Sequence, residues 1–211
     1  MTKKITIVDY GLGNIVSAKQ SFLKVVAEKN FEAEVVISNN PRDIKESSHI
    51  VLPGQGAFES CMNGLKKIPG MIGALEESVI KNKKPFLGIC VGMQLLAEKS
   101  YENGQHLGLG WIKGSIKKLE VKNLKLPHMG WNSVVIVNQQ TDMKFNLENE
   151  DLYFVHSYFF ECSKKENVVG LTYYGSNFTS IVCKENIYGV QFHPEKSSDQ
   201  GLVLIKNFLD L

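Results

Sequence analysis

Short apolar segments alternate with helical patterns along the first half of the chain, and this alternation limits the possible folds more than any other feature. The segments have the length of buried strands, and the patterns between them place apolar residues on one helix face. Strands separated by helices need crossover connections, which favours a mostly parallel sheet. The predicted strands are Ile5–Val8, Val35–Ile37, Ile50–Leu52 and Pro85–Ile89. The first predicted helix has Asn14 as its N-cap, and its apolar face contains Ile15, Ala18, Phe22, Val25 and Val26. The other predicted helices are Met71–Ile80 and Val91–Glu98.

From about residue 108 to residue 191 the pattern changes to short β-branched and aromatic runs separated by polar or glycine-containing turns. Such runs are typical of antiparallel strands, so we predict an antiparallel extension of the sheet. The apolar spacing at the end of the chain predicts a closing amphipathic helix, and no linker interrupts residues 1–211, which favours a single α/β domain. The runs are Val134–Val137, Tyr153–Phe160, Val168–Tyr174, Thr179–Cys183 and Tyr188–Phe192, and the closing helix contains Leu202, Ile205 and Leu209.

Composition excludes several classes of function. The formal net charge of +2 is too small to indicate a nucleic acid or an anionic membrane as a partner. No segment approaches the roughly 18 apolar residues of a membrane span, and the N-terminus lacks a signal-peptide core. The four cysteines form no CxxC pair, so neither a zinc site nor a redox dithiol is predicted. We therefore expect a cytoplasmic protein without a metal or an organic cofactor.

A cysteine flanked by two glycines follows the last predicted strand of the first half, in Gly88-Ile-Cys90-Val-Gly92. Glycines at these positions permit the close backbone approach of a sharp strand-to-helix turn, as in the nucleophile elbow of hydrolases. A helix N-terminus stabilises a thiolate, and the backbone N–H of Val91 is placed to bind an oxyanion. A buried structural cysteine between packing glycines is the alternative, and this motif alone does not decide between them.

A histidine and a glutamate near the C-terminus supply the remaining groups of a thiol-based active site. In extended chain, His193 and Glu195 point to the same side, and Pro194 fixes the offset between them. Glu195 would accept a hydrogen bond from one imidazole nitrogen and leave the other facing the sulfur of Cys90. An isolated turn with a solvated Glu195 is the alternative. Together the three residues predict a Cys-His-Glu triad for acyl transfer, with no substrate specified.

These two segments resemble the class I glutamine amidotransferases, and the resemblance runs from end to end of the chain. Further segments of the chain resemble one branch of that family, the glutaminase subunits of imidazole glycerol phosphate synthases in histidine biosynthesis. The segment Leu126-Pro-His-Met-Gly-Trp-Asn132 is far more specific than the triad. The other matching segments are Asp9–Asn14, Leu52–Phe58, Tyr153–Tyr158 and Tyr188–Ser197.

The resemblance implies a flavodoxin-like α/β fold and a glutaminase that forms a γ-glutamyl thioester on Cys90. It implies a heterodimer with a (β/α)8-barrel cyclase subunit, which joins the ammonia to its own substrate and makes imidazole glycerol phosphate and an aminoimidazole-carboxamide ribotide. In the family, glutamine hydrolysis waits on this partner and its ligand. The implied substrate is L-glutamine, and no cofactor is implied.

The family's site residues carry over onto matching positions of this chain. The triad falls on Cys90, His193 and Glu195, and the family's oxyanion strand falls on Gly54, Gln55 and Gly56, where many members have a small apolar residue in place of Gln55. The residues that match the glutamine pocket are Gln94, His156, Ser157 and Tyr158, and those that match the cyclase interface are Asn14, His128, Met129, Gly130, Trp131, Asn132 and Lys196.

Three other functions remain open from the sequence. A paralogous glutaminase would keep the triad and deliver ammonia to another synthase, such as one that aminates a sugar. A stand-alone cysteine hydrolase would need neither glutamine nor a partner. A non-catalytic interaction subunit would carry a degenerate site, and the three filled triad positions argue against it.

Overall fold

A computed structural model describes residues 2–147 and 151–211. Its strands and helices alternate through the first ninety residues, as predicted, and strands dominate from residue 99 to residue 190. The strands are β1 (Lys3–Val8), β2 (Ala33–Ser38), β3 (His49–Gly54), β4 (Phe86–Cys90), β5 (Lys99–Ser100), β6 (His106–Leu107), β7 (Gly114–Lys118), β8 (His128–Ser133), β9 (Val135–Ile136), β10 (Asp151–His156), β11 (Tyr158–Cys162), β12 (Val168–Tyr173), β13 (Asn177–Lys184) and β14 (Ile187–Val190).

The helices flank the sheet and bury one apolar face each. In the first of them Ala18, Phe22 and Val25 are buried, and Phe22 packs edge-on against Phe208 of the last one, with the ring centroids 6.3 Å apart. The α-helices are α1 (Ile15–Glu28), α2 (Pro41–Glu46), α3 (Phe58–Lys67), α4 (Met71–Leu75, continued by a π-helical turn over Glu76–Lys81), α5 (Val91–Gln94) and α6 (Ser198–Leu209), with 3-10 turns at Lys165–Asn167 and Pro194–Lys196.

The central sheet has the strand order β2-β1-β3-β4-β14-β13-β12-β9. The first five of these strands run parallel, in the order of flavodoxin-like folds, and β13, β12 and β9 continue the sheet antiparallel. The predicted α/β class with an antiparallel extension is therefore confirmed. The strands of two smaller sheets, with the orders β10-β8 and β11-β7-β5-β6, are not hydrogen-bonded to the central sheet among the described residues.

Several element predictions need correction. The predicted helix Val91–Glu98 ends after Gln94, because the carbonyl oxygens of residues 95–97, which further helical turns would use, accept hydrogen bonds from Leu109, Ile112 and Gly110 instead. The predicted strand Tyr153–Phe160 is broken at Ser157 into strands of two different sheets.

Two smaller predictions hold in part. The run Tyr188–Phe192 contributes β14, which pairs antiparallel to β13 as predicted but parallel to β4 on its other side, so it joins the two halves of the sheet. Asn14 does occupy the N-cap position of α1, but its side chain makes no capping hydrogen bond. Among the residues that the structure describes, no helix is long and apolar enough to cross a membrane.

Candidate active site

The candidate site lies where three parallel strands end side by side. Gly54 at the end of β3 pairs in register with Cys90 at the end of β4, and Ile89 pairs with Val190, the last residue of β14. His193 follows three residues after β14 ends. Because the carboxyl ends of parallel strands share one edge, the sheet itself brings the oxyanion strand, the cysteine and the histidine together.

Cys90 occupies a backbone conformation that non-glycine residues rarely adopt. Its φ of 55° and ψ of −112° correspond to the first central position of a type II′ turn, where glycine is usual. A non-glycine residue held in such a region costs about 1–3 kcal/mol. The chain thus turns from β4 into α5 within one strained residue, which places the thiol at the N-terminus of α5.

The two flanking glycines are required by close backbone packing, as the sequence predicts. A Cβ on Gly88 would lie 2.6 Å from the carbonyl oxygen of Gly92. A Cβ on Gly92 would overlap the carbonyl oxygen of Leu52 on the neighbouring strand β3. These contacts leave no room for side chains, so closely packed backbone fixes the turn that carries Cys90 at the end of β4.

His193 and Glu195 make a buried hydrogen bond. The distance from His193 Nδ1 to Glu195 Oε1 is 2.9 Å, and the two side chains are 4% and 3% exposed. His193 itself is extended, as predicted, but the extended geometry does not continue to Glu195, because Pro194 begins a 3-10 turn that contains it. This turn still brings the carboxylate to the ring, and the backbone of His193 is fixed by its N–H bond to the Tyr153 carbonyl and by the Ser197 hydroxyl, which donates to the His193 carbonyl.

The pKa of His193 reflects two opposing effects. Burial lowers it, but the Cys90 sulfur and the Glu195 carboxylate raise it by more, to about 10. The ring is therefore an imidazolium next to the cysteine at neutral pH. Its Nε2 is buried and has no well-aligned hydrogen-bond partner among the described residues. In free enzymes such contacts are often long and tighten when substrate binds.

A cavity of about 350 Å³ opens in front of Cys90 and His193. This volume is at the lower end of small-molecule sites, as a single amino acid would require. The cavity contains every residue of the predicted glutamine pocket together with most of the predicted oxyanion strand. Its lining is Gln55, Gly56, Cys90, Val91, Gln94, Glu102, Pro127, Val155, His156, Ser157, Tyr158 and His193.

Glu102 is a lining residue that the sequence reasoning missed. Its carboxylate accepts the backbone N–H of Phe58 at 2.8 Å, at the start of α3. No local motif marks it, since it lies in the turn after β5, far in sequence from the triad. The sequence shows only a negatively charged side chain in a short polar loop, and this does not distinguish Glu102 from other surface carboxylates.

The predicted oxyanion strand divides into a buried and an exposed part. Gly54 is buried, and a Cβ there would lie 2.5 Å from the backbone nitrogen of Gly92. Gln55 and Gly56 are exposed, and Gly56 has a φ of +95° that favours glycine. The Gln55 carbonyl accepts a hydrogen bond from the Cys61 thiol at 3.5 Å. Since Gln55 is exposed, it is not part of the close backbone packing between Gly54 and Gly92.

The predicted partner segment forms strand β8, whose side chains alternate between the surface and the interior. Met129 and Trp131 are 63% and 53% exposed. Trp131 packs edge-on against Tyr153, and the ammonium of Lys196 lies 5.7 Å from the centre of the same Tyr153 ring. We call the surface formed by Met129, Trp131, Tyr153 and Lys196 the aromatic face.

His128 does not belong to the aromatic face, contrary to what an interface residue would suggest. Its ring is 3% exposed and is stacked between Phe154 and Tyr174. Gly130 and Asn132 are half-buried on the same strand, and Asn14 is half-buried at the start of α1. The structure thus turns one member of the predicted partner segment towards the interior.

His128 and His156 form part of a chain of directed hydrogen bonds. His156 Nδ1 donates to the Tyr158 carbonyl at 2.9 Å, so its Nε2 must accept from His128 Nδ1 at 3.0 Å. His128 Nε2 then accepts from Asn132 Nδ2 at 3.2 Å. Burial lowers the pKa values of His128 and His156 to about 4 and about 3, so both rings are neutral at pH 7 and the chain keeps its direction.

Comparison with known proteins defines the class of this protein. The family model for class-I glutamine amidotransferases matches residues 7–211, so the chain belongs to that family. A solved glutamine amidotransferase structure superposes with a TM-score of 0.70 at 15% identity, covering 97% of each chain. A glutamine amidotransferase from Thermotoga maritima superposes with a TM-score of 0.63 at 20% identity, covering 100% of this chain and 84% of that one. At these identities the superpositions support the fold alone.

Curated relatives are more specific. The chain is 44% identical over 209 residues to imidazole glycerol phosphate synthase subunit HisH of Pelagibacter ubique, covering 98% of this chain and 99% of that protein. It is 45% identical over 208 residues to subunit HisH 2 of Methanococcus maripaludis, covering 97% and 98%.

Proposed function

We propose that this chain is the glutaminase subunit of an imidazole glycerol phosphate synthase. It hydrolyses glutamine to glutamate and ammonia and passes the ammonia to a cyclase subunit in histidine biosynthesis. The observation that carries the proposal is the meeting of Cys90, His193 and Glu195 at one cavity, in a chain similar over its whole length to subunits of that synthase. Absence of a membrane-spanning helix among the described residues and four unpaired cysteines support a reducing, cytoplasmic location.

The first half-reaction forms a thioester. The Cys90 thiolate attacks the side-chain amide carbon of glutamine, and the C=O double bond opens to an oxyanion that backbone N–H groups of Val91 and the Gly54–Gly56 segment stabilise. When the carbonyl re-forms, the C–N bond breaks and the imidazolium of His193 gives its Nε2 proton to the departing nitrogen. Ammonia leaves, and a γ-glutamyl thioester remains on Cys90.

The second half-reaction releases glutamate. His193, now neutral, takes a proton from a water molecule, which attacks the thioester carbon and displaces the Cys90 thiolate. The imidazolium and thiolate pair is restored, with Glu195 holding the ring in the same tautomer throughout. The pKa of His193, raised to about 10, keeps its ring protonated at the start of each cycle.

The cavity supports glutamine as the substrate because its polar groups suit an amino acid. The Glu102 carboxylate provides an acceptor for the α-ammonium group, and Gln94, Ser157 and Tyr158 provide hydrogen-bonding groups around the remainder. His156 lines the same cavity as a neutral ring. Apart from the groups of the triad, Glu102 is the one charged side chain among the residues that line the described cavity, which favours a neutral side-chain amide at the nucleophile.

The aromatic face supports the partner. Exposed Met129 and Trp131 with a cation on the adjoining ring are typical of interface anchors, in which aromatic residues and Met are enriched. The cavity reaches Pro127, the residue immediately before β8, so this face adjoins the cavity. We assign the cyclase subunit to the aromatic face, with Asn14, Gly130 and Asn132 at its margin.

The test is glutamate release from glutamine by the purified chain, measured alone and with a histidine-pathway cyclase carrying a substrate analogue. We expect slow release that rises by orders of magnitude with the liganded cyclase and is abolished by Cys90→Ala. Cys162→Ala is the matched control, because Cys162 lies in β11 outside the cavity. Cys90-dependent release that the cyclase never stimulates would indicate a paralogous glutaminase. Absence of glutamate release in every condition would refute the proposal that the chain is a glutaminase.

A further inference from the structure

A buried glutamine contacts the candidate nucleophile, although it belongs neither to the triad nor to the cavity lining. Gln191 is fully buried, and its Nε2 lies 3.7 Å from the Cys90 sulfur, within the longer range of hydrogen bonds to sulfur. Gln191 is the residue directly after β14, and its backbone N–H donates to the Ser180 carbonyl at 2.9 Å. The amide therefore approaches Cys90 from the fixed backbone of the central sheet.

The orientation of the Gln191 amide follows from the Tyr158 backbone carbonyl, to which it is linked through the side chain of Gln94. The Tyr158 carbonyl can only accept, so Gln94 must present its Nε2 there, at 3.0 Å. The second Nε2 hydrogen of Gln94 then points to the Gln191 side chain at 3.0 Å, which must present its oxygen in return. Gln191 is left with its NH₂ group towards Cys90. Each amide in this series is oriented by chemistry that cannot be reversed.

An N–H donor on the sulfur acts on the ionisation of Cys90. A hydrogen bond to the charged form of a group favours that form, and the Gln191 donor is itself fully buried. The donor is neutral, so unlike His193 it stabilises the thiolate without giving up a proton during the reaction. It also fixes the sulfur position on the side of β14.

We propose that Gln191 is a further residue of the active site, which holds Cys90 as a correctly placed thiolate through its Nε2–H group. Gln94 and the Tyr158 carbonyl keep that donor pointed at the sulfur. The inference deepens the proposed function and rests on it for the role of Cys90 as nucleophile.

The test is the pH dependence of Cys90 alkylation by iodoacetamide in the full chain, followed by mass spectrometry of the Cys90 peptide. Only the thiolate reacts, so the midpoint of the rate profile reports the pKa of Cys90. A hydrogen bond to a charged group corresponds to about one pKa unit or more. We expect Gln191→Leu to raise the midpoint by at least one unit and to slow alkylation by about tenfold at pH values below the wild-type midpoint.

Two further variants separate this role from a structural one. Gln191→Glu keeps the shape of the side chain and the acceptor for Gln94 but places an oxygen against the sulfur. The midpoint should therefore rise further than in Gln191→Leu. If Gln191→Leu does not fold, the Gln191→Glu profile tests the proposal. Ser180→Ala is the matched control, because Ser180 is buried beside Gln191 and its hydroxyl bonds no described residue. Its profile should match the wild type.

Alkylation profiles of both Gln191 variants that superimpose on the wild-type profile would overturn the proposal. Cys162 and Cys183 give an internal reference, because burial raises their pKa values to about 12 and they should stay unreactive. The profile is measured without glutamine or a partner. A chain that never releases glutamate would therefore refute the proposed function while the alkylation result still decides the contact between Gln191 and Cys90.

Discussion

The substitution Gly88→Ala probes the packing that holds the nucleophile turn. The added Cβ would lie 2.6 Å from the Gly92 carbonyl oxygen and 2.8 Å from the Met93 backbone nitrogen, whereas ordinary van der Waals contact begins at 3.4 Å. The N-terminal turn of α5 must therefore move by roughly 0.8 Å. Both neighbours are backbone atoms held against β3, so no side-chain rotation relieves the overlap.

Overpacking of a well-packed interior costs about 1–3 kcal/mol, and we expect the upper part of this range at Gly88 because rigid backbone must yield. For a domain of this size, about 3 kcal/mol corresponds to a Tm lower by roughly 6–12 °C. Thermal and urea unfolding followed by circular dichroism measure the loss. Glutamate release should fall with it, since the same movement displaces Cys90 and Val91.

Gly73→Ala is the matched control for this experiment. Gly73 lies inside α4, and a Cβ there would meet no heavy atom within 4 Å. The same substitution should then stabilise the protein by about 0.5–1 kcal/mol, because alanine favours the helix over glycine. A Gly88→Ala variant as stable as Gly73→Ala would refute the steric reasoning.

Three further predictions concern the triad, the partner and acid stability. Glu195→Gln removes a charged hydrogen-bond partner worth about 1.5–3 kcal/mol, so kcat/KM for glutamine should fall about tenfold to a hundredfold; a change below threefold would contradict the triad. Trp131→Ala should weaken cyclase binding at least about tenfold in calorimetry, while the exposed Tyr101→Ala leaves it unchanged. Burial lowers the pKa of His49 to about 4, so below pH 6.5 the unfolded chain binds this proton first and stability falls as the pH drops towards 4, by about 3 kcal/mol at most. His49→Gln should reduce this acid loss in urea unfolding, and an unchanged pH dependence would contradict it.

The sequence predicted what local chemistry determines. The glycines around Cys90 predicted a close-packed turn, and apolar periodicity predicted the parallel half of the sheet. Helix formers after Gln94 predicted a longer α5. Backbone N–H groups of residues 108–112 instead donate hydrogen bonds to the carbonyl groups that a longer helix would use. This competition comes from chain distant in sequence, and helix propensity does not include it.

The site could be predicted only in part for the same reason. His193 and Glu195 are near in sequence, and the need of a thiol nucleophile for a base with an orienting partner predicted that they meet Cys90. Glu102 and Gln191 were missed as site residues, since their roles depend on which groups lie across the cavity or behind the sulfur. The inward turn of His128 follows from the alternation of β8, but which residues of β8 face outward depends on its pairing with β10, which the sequence alone does not provide.

The strained backbone of Cys90 has a consequence for how this chain tolerates loss of its chemistry. Glycine adopts the conformation at position 90 without the steric penalty that every other residue meets there. The substitution that destroys the nucleophile most simply, Cys90→Gly, is therefore also one that relaxes the fold. Selection for ammonia production has to oppose a standing thermodynamic preference at this position, and a lineage released from that selection would drift towards a more stable, inert protein.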